Sequence, residues 1–224
     1  MVMSRDIQGV LISGALVCGV LFFGWALGKI NDLPHEFSRK FVHIGVSCFY
    51  FVYVQYLYLG SIWLELALPV AFIGANLFIV ITGKPKALAS ALEGSNRYGT
   101  VYYPLSLVIL VCCLRILDIG MNINDFGAGV LVMGFGDGFA GLFGSMLGKN
   151  RITYLPGKKT WLGSGVMLVV SYLVISLLYS GSLVLSLPYF ICAFFAAAVE
   201  AFTPKGLDNI TVPILVALFC MVVI

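Results

Sequence analysis

The sequence predicts an all-α fold, a polytopic transmembrane helix bundle of about seven to eight spans with a polar cavity facing the cytoplasm. Three observations carry that prediction. Of 224 residues, 61% are hydrophobic and 10% charged, with a mean hydropathy of +1.04, whereas a soluble domain has about 45–50% apolar and about 25% charged residues. The apolar residues fall in continuous runs, without the period-two alternation of a membrane barrel. The charges crowd into alternate connecting loops. A soluble globule of this size could not hide so much apolar surface. A soluble enzyme, a disordered chain and a small secreted module are therefore excluded, and the bilayer is the solvent.

Eight runs, at about 7–27, 41–58, 61–82, 101–117, 126–147, 161–180, 188–202 and 210–224, are each roughly long enough to cross a hydrocarbon core about 30 Å thick. The first is longer than a signal-peptide core and lacks a clear A-x-A site. The last two are short, so seven spans and one re-entrant piece is the alternative count. No repeat, linker or low-complexity tract interrupts the chain, which reads as a single integral membrane domain, 1–224.

The loops between these runs set the orientation. Lys29, Arg39 and Lys40, then Lys84, Lys86 and Arg97, then Lys149, Arg151, Lys158 and Lys159, then Lys205 lie in alternate loops. Only Arg5 and Arg115 are left for the other side. By the positive-inside rule the crowded face is cytoplasmic and both termini point outward, in the cell membrane if the source is prokaryotic. The net charge of +3, with no basic run longer than two, argues against a nucleic-acid partner. The six cysteines sit in apolar runs without metal-binding spacing and read as small hydrophobes.

The same face carries nearly all the polar chemistry. In Gly134-Phe135-Gly136-Asp137-Gly138-Phe139-Ala140-Gly141, Asp137 lies eleven residues past Phe126, about 16 Å along a helix. A carboxylate at that depth costs at least about 2.5–3.5 kcal/mol unless a cavity, cation or base receives it. A packed glycine seam explains the glycines, with Gly134/Gly138 and Gly144/Gly148 at GxxxG spacing. It does not explain the acid, which reads as a metal-binding or catalytic carboxylate in a wet cavity, in a helix broken at these glycines.

Pro156-Gly157-Lys158-Lys159-Thr160 opens the sixth run, where free N–H groups and two ammonium charges suit either a polyphosphate or anionic headgroups. Its spacing is not that of a Walker A loop. Glu36, Lys40 and His43 fall at i, i+4 and i+7, so one helix face presents acid, base and imidazole, either as a salt-bridged surface or in contact with phosphate and protons. Arg97, Tyr98 and Tyr102 precede or enter the fourth run as an aromatic belt or as further site candidates. Glu200, Asp208 and Asn209 link the last two runs, either as a solvated turn or as oxygen ligands of the kind Mg²⁺ prefers.

Taken in order, Arg39-Lys40-x-x-His43, Tyr98-Gly99-x-x-Tyr102-Tyr103-Pro104-Leu105-Ser106, Gly136-Asp137-x-x-Ala140, Gly157-Lys158-Lys159-Thr160 and Glu200…Asp208-Asn209 resemble the polyprenol kinase family. Dolichol kinase, phytol kinase and CTP-dependent diacylglycerol kinase belong there, and phosphatidate cytidylyltransferases are more distant. The resemblance spans residues from about 36 to 213. It implies transfer of the γ-phosphoryl group of a nucleotide, usually CTP, drawn from the cytosol, to a membrane-embedded lipid alcohol with Mg²⁺. Asp137 would then hold Mg²⁺ or accept the hydroxyl proton, with Lys158 and Lys159 as its catalytic partners. Gly157, Lys158, Lys159 and Thr160 would cradle the triphosphate. Glu200, Asp208 and Asn209 would complete the metal or nucleotide site beside Arg39, Lys40 and His43. One departure stands out: Leu162 occupies a position where such kinases usually carry an acid. The rival readings are a CTP:lipid-phosphate cytidylyltransferase and a lipid or ion transporter. The one-sided polar content disfavours the transporter.

Overall fold

The computed structural model describes residues 2–30, 35–83, 98–152, 159–204 and 206–224, and among them the regular structure is helical apart from one isolated β-bridge. The helices, in chain order, are α1 (Val2–Leu27), α2 (His35–Ser47), α3 (Phe49–Val52), a π-helical turn π1 (Tyr53–Leu57) and α4 (Ile62–Thr82). They continue with α5 (Gly99–Arg115), α6 (Ile123–Leu131), a second π-helical turn π2 (Val132–Asp137), α7 (Gly138–Met146), α8 (Trp161–Ser180), α9 (Leu187–Phe202) and α10 (Asp208–Val223). Since α2, α3 and π1 follow one another, and α6, π2 and α7 form one rod, the described residues make eight helical rods. Four stretches, Arg5–Leu27, Ile62–Thr82, Ile123–Met146 and Trp161–Ser180, are long and apolar enough to cross a membrane. The rods α5, α9 and α10 are shorter.

Local chemistry explains the element ends. Asn122 caps α6, its side-chain oxygen accepting from the N–H groups of Asn124 (2.8 Å) and Asp125 (3.1 Å), while the Asp125 carboxylate accepts from the Asn122 N–H at 2.8 Å. This reciprocal box satisfies donors that the first turn leaves open. Gly83 (φ +65°) and Gly181 (φ +69°) end α4 and α8 in the left-handed conformation, where a Cβ would be strained. The amphipathic start of α2 lies ahead of the apolar run that begins near 41, so hydropathy alone places that boundary too late.

The rod Ile123–Met146 is central, with 72% of its most apolar window buried, against 17% for Arg5–Leu27 and Ile62–Thr82. Phe126, Val130, Val132 and Met133 on it meet Phe49, Tyr53, Leu110 and Val216 in the core. Between helices in lipid, close packing rather than expulsion of water holds the contact. The expected glycine seam is there. A Cβ on Gly134 would fall on the side chain of Ser47, one on Gly138 on Ile44, and one on Gly141 on Lys40. Gly144 and Gly148 face Thr160 instead. The expected break at these glycines is absent. The helix widens into π2, which ends on Asp137, and keeps going.

Away from this region a second polar cluster ties α1, π1, α4 and α5. Glu65 is buried and accepts from the Tyr53 hydroxyl at 2.5 Å while ion-pairing with Arg115. Asp6 accepts from the Ser61 N–H at 2.8 Å, and Arg5 donates to the Gln55 carbonyl. The two basic residues assigned to the far side thus serve as tethers.

Candidate functional site

Asp137 meets its cation across the glycine seam. Lys40, in the second turn of α2, places Nζ 2.5 Å from Asp137 Oδ2, and the two side chains are only 3% and 4% exposed. The contact exists because Gly141 has no side chain: a Cβ there would occupy the path of the Lys40 stem. The direct partner of Asp137 is thus Lys40, while Lys159 ion-pairs with Glu200. Nor do Glu36, Lys40 and His43 act as one face. Glu36 pairs with Arg39 at 2.5 Å, Lys40 with Asp137, and His43 packs its ring 5.8 Å from that of Tyr103 on α5.

The second half of the site is assembled at the start of α8. Arg151 and Thr160 form an antiparallel β-bridge, with the Ile152 N–H donating to the Lys159 carbonyl (2.9 Å) and the Trp161 N–H to the Asn150 carbonyl (3.3 Å). Thr160 caps α8 by accepting from the Gly163 N–H at 3.1 Å. So fixed, Lys159 ion-pairs with Glu200, near the end of α9, and lies 3.6 Å from Asp208 Oδ2 at the start of α10. Asp208 Oδ1 accepts from the N–H groups of Gly206 (2.9 Å) and Asn209 (3.1 Å). Burial alone would lower the pKa of the Lys159 ammonium. The charges of Glu200, Asp137 and Asp208 outweigh that and hold it above the ordinary lysine value.

Both pairs open onto one cavity of about 530 Å³. Its charged lining is balanced, with Glu36, Asp137, Glu200 and Asp208 facing Arg39, Lys40, Arg151 and Lys159. Thr160, Gly163 and Ser164 contribute its wall from α8, and Gly141, Gly144 and Gly148 keep that space clear of side chains. Such a lining can receive an anion by exchanging carboxylate partners of its cations for phosphate oxygens, with less desolvation than a bare buried ammonium would require.

Seven of the sequence candidates thus converge: Asp137, Lys159, Thr160, Arg39, Lys40, Glu200 and Asp208. Four stand outside the lining. His43 is buried behind Lys40, Asn209 pins α10 to α5 by donating to the Gly99 carbonyl at 2.7 Å, and Tyr98 and Tyr102 stack on each other at 6.4 Å. Arg97, Gly157 and Lys158 lie outside the described residues. Sequence reasoning missed Arg151 as a wall residue, and the basic cluster at 149–159 was the signal that held it. Leu162 is 42% exposed and does not line the cavity, so the absent acid takes nothing from the wall.

Among the described residues no three His, Cys, Asp or Glu side chains form a ready metal cage. Asp137, Glu200 and Asp208 nonetheless offer hard oxygen donors around one space. This suits Mg²⁺, which keeps water and substrate phosphates and takes only one or two carboxylates.

Compared with known proteins, the chain is 32% identical over 198 residues to a protein named phytol kinase from Synechocystis sp., an overlap covering 84% of this chain and 79% of that protein. No family profile matches the chain, and no solved structure matches it.

Proposed function

Because the chain belongs to the polyprenol kinase family that includes phytol kinase, we propose that it is an integral membrane lipid-alcohol kinase. In this reading it transfers the γ-phosphoryl group of a nucleotide, CTP, to the hydroxyl of a prenol, polyprenol or diacylglycerol. The observation that carries it is the single cavity where the Lys40–Asp137 pair and the Lys159–Glu200–Asp208 group face each other at one end of an apolar bundle. The positive-inside rule turns that end toward the cytosol, where the nucleotide is, while the bundle admits the lipid.

Phosphoryl transfer asks the protein mainly to position groups and offset charge on the equatorial oxygens. Lys159, Lys40, Arg39 and Arg151 serve that purpose from the walls together with Thr160, and the family resemblance adds Gly157 and Lys158 to the phosphate-binding residues. Asp137, Glu200 and Asp208 would hold Mg²⁺, which would supply charge neutralisation to the transferring phosphoryl group. Lys40 fixes the direction of the Asp137 carboxylate, and Asn209 sets the start of α10 by its bond to Gly99.

The test is purified protein in nanodiscs with phytol, farnesol, dolichol and diacylglycerol and singly labelled CTP. Movement of γ-label into lipid with release of CDP supports the proposal. Movement of α-label with release of pyrophosphate would assign the chain to lipid-phosphate cytidylyl transfer instead, and nucleotide-independent flux of a lipid or ion across sealed vesicles carrying the purified protein would make it a transporter.

A further inference from the structure

Two buried polar atoms have no partner in the structure and sit side by side. His43 is 8% exposed and Tyr103 6%, and both His43 Nδ1 and the Tyr103 hydroxyl lack a hydrogen-bond partner among the described residues. Their rings lie 5.8 Å apart, tilted by 36°. A buried donor or acceptor left open costs about 1–3 kcal/mol, so two beside each other mark a place built for something else.

Their position narrows what that is. His43 follows Lys40 by three residues on α2, about 4.5 Å deeper along the axis. Tyr103 is one turn inside the start of α5, whose Gly99 carbonyl is pinned by Asn209, the neighbour of Asp208. The pair thus sits on the bundle side of the charged cavity, with the Tyr103 ring in the same apolar core as Leu107 and Leu110. Neither side chain carries a charge to receive a phosphate. With its proton on Nε2, His43 offers an acceptor at Nδ1, and Tyr103 offers a donor. An alcohol has one donor and two lone pairs. Held between these two it spends its O–H on His43 and one lone pair on Tyr103, and keeps the other lone pair free.

We propose that His43 and Tyr103 form the subsite that receives the hydroxyl of the lipid acceptor and aims its free lone pair at the nucleotide phosphate in the Asp137 cavity. This deepens the kinase reading and rests on it. A lipid phosphate would not fit, having no need of the His43 acceptor. In a loose transition state the attacking oxygen keeps most of its proton, so orienting that O–H is the contribution of the pair.

Tyr103→Phe removes one oxygen and little else. One lost hydrogen bond of ordinary strength predicts a rise of about fivefold to tenfold in the KM for phytol, with the KM for CTP unchanged within about twofold. Because the variant also removes an unsatisfied buried group, its Tm should equal or exceed that of the parent. His43→Leu should show the same selective rise in phytol KM. A second readout needs no turnover: phytol alone should raise the Tm of the parent and fail to do so for Tyr103→Phe. A phytol shift present in the parent and lost in Tyr103→Phe, with no phosphoryl transfer by the parent, would sustain the subsite and overturn the kinase reading. Normal transfer with unaltered phytol KM and phytol shift in both variants overturns the subsite alone. A parallel rise of both KM values with a lowered Tm would mean a purely structural pair, and would overturn it too.

Discussion

Breaking the Lys40–Asp137 pair is the sharpest test of the architecture. Lys40→Met leaves a carboxylate only 4% exposed without its cation, and Asp137→Asn leaves an ammonium only 3% exposed without its anion. Removing one partner of such a pair costs about 3–5 kcal/mol, because the remaining charge is stranded. At roughly 2–4 °C per kcal/mol for a chain of this length, each single variant should melt about 6–20 °C lower. The double variant strands nothing, so it should recover part of that loss, with a coupling of about 2–3 kcal/mol, as for neighbouring groups that interact. Thermal unfolding in detergent with a thiol-reactive dye reads this directly, since Cys113, Cys192 and Cys220 are buried until the bundle opens. All three variants should lack phosphoryl transfer, so stability returns in the double variant while activity does not. Losses that simply add, within about 0.5 kcal/mol, would show that the two side chains do not meet in the folded protein.

Four further outcomes are expected. Gly141→Ala should displace the Lys40 stem, costing about 1–3 kcal/mol in stability and most of the transfer activity, measured by melting and by label incorporation. Lys159→Gln should raise the KM for CTP at least about tenfold, since it removes a charge-assisted phosphate contact. The Lys159 pKa is raised, so its stabilising contribution is complete below the ordinary lysine value of 10.5 and is lost only as pH rises through the higher folded value. The parent's Lys159-dependent stability should therefore be flat across roughly pH 6–9 in melting experiments. Leu162→Glu should alter activity by less than about twofold and stability by less than about 0.5 kcal/mol, as an exposed change outside the wall.

The helices were legible because a continuous apolar run in lipid can satisfy its backbone only within itself, and four of them are long and apolar enough to cross a membrane. The start of α2 was not, because Glu36, Arg39 and Lys40 keep it polar while it is already helical. Asp137 announced itself by depth alone, and Glu65 carried the same signal of an acid inside an apolar run, yet the reading passed over it. What one dimension could not supply was partnership. Lys40 stands 97 residues from Asp137, and only the spacing of Gly134, Gly138 and Gly141 hinted at which helix would come close. Likewise Lys159 stood out in the sequence as a basic residue beside a helix start, but its carboxylate partners come from two helices whose mutual approach no periodicity reveals.

The turn π2 has a consequence for how this chain can vary. One surplus residue within a helix rotates everything after it by about 100° relative to what precedes it. Upstream, Phe126 and Val130 already face the interior; downstream, Gly138 and Gly141 must look at α2. Both demands are met only because the phase is reset between them. Removing a single residue from 132–137 would cost hardly any length, but it would swing the carboxylate and the glycine face away from the lysine they were cut to fit. In this stretch, spacing is therefore restrained along with the identities of Gly134 and Asp137.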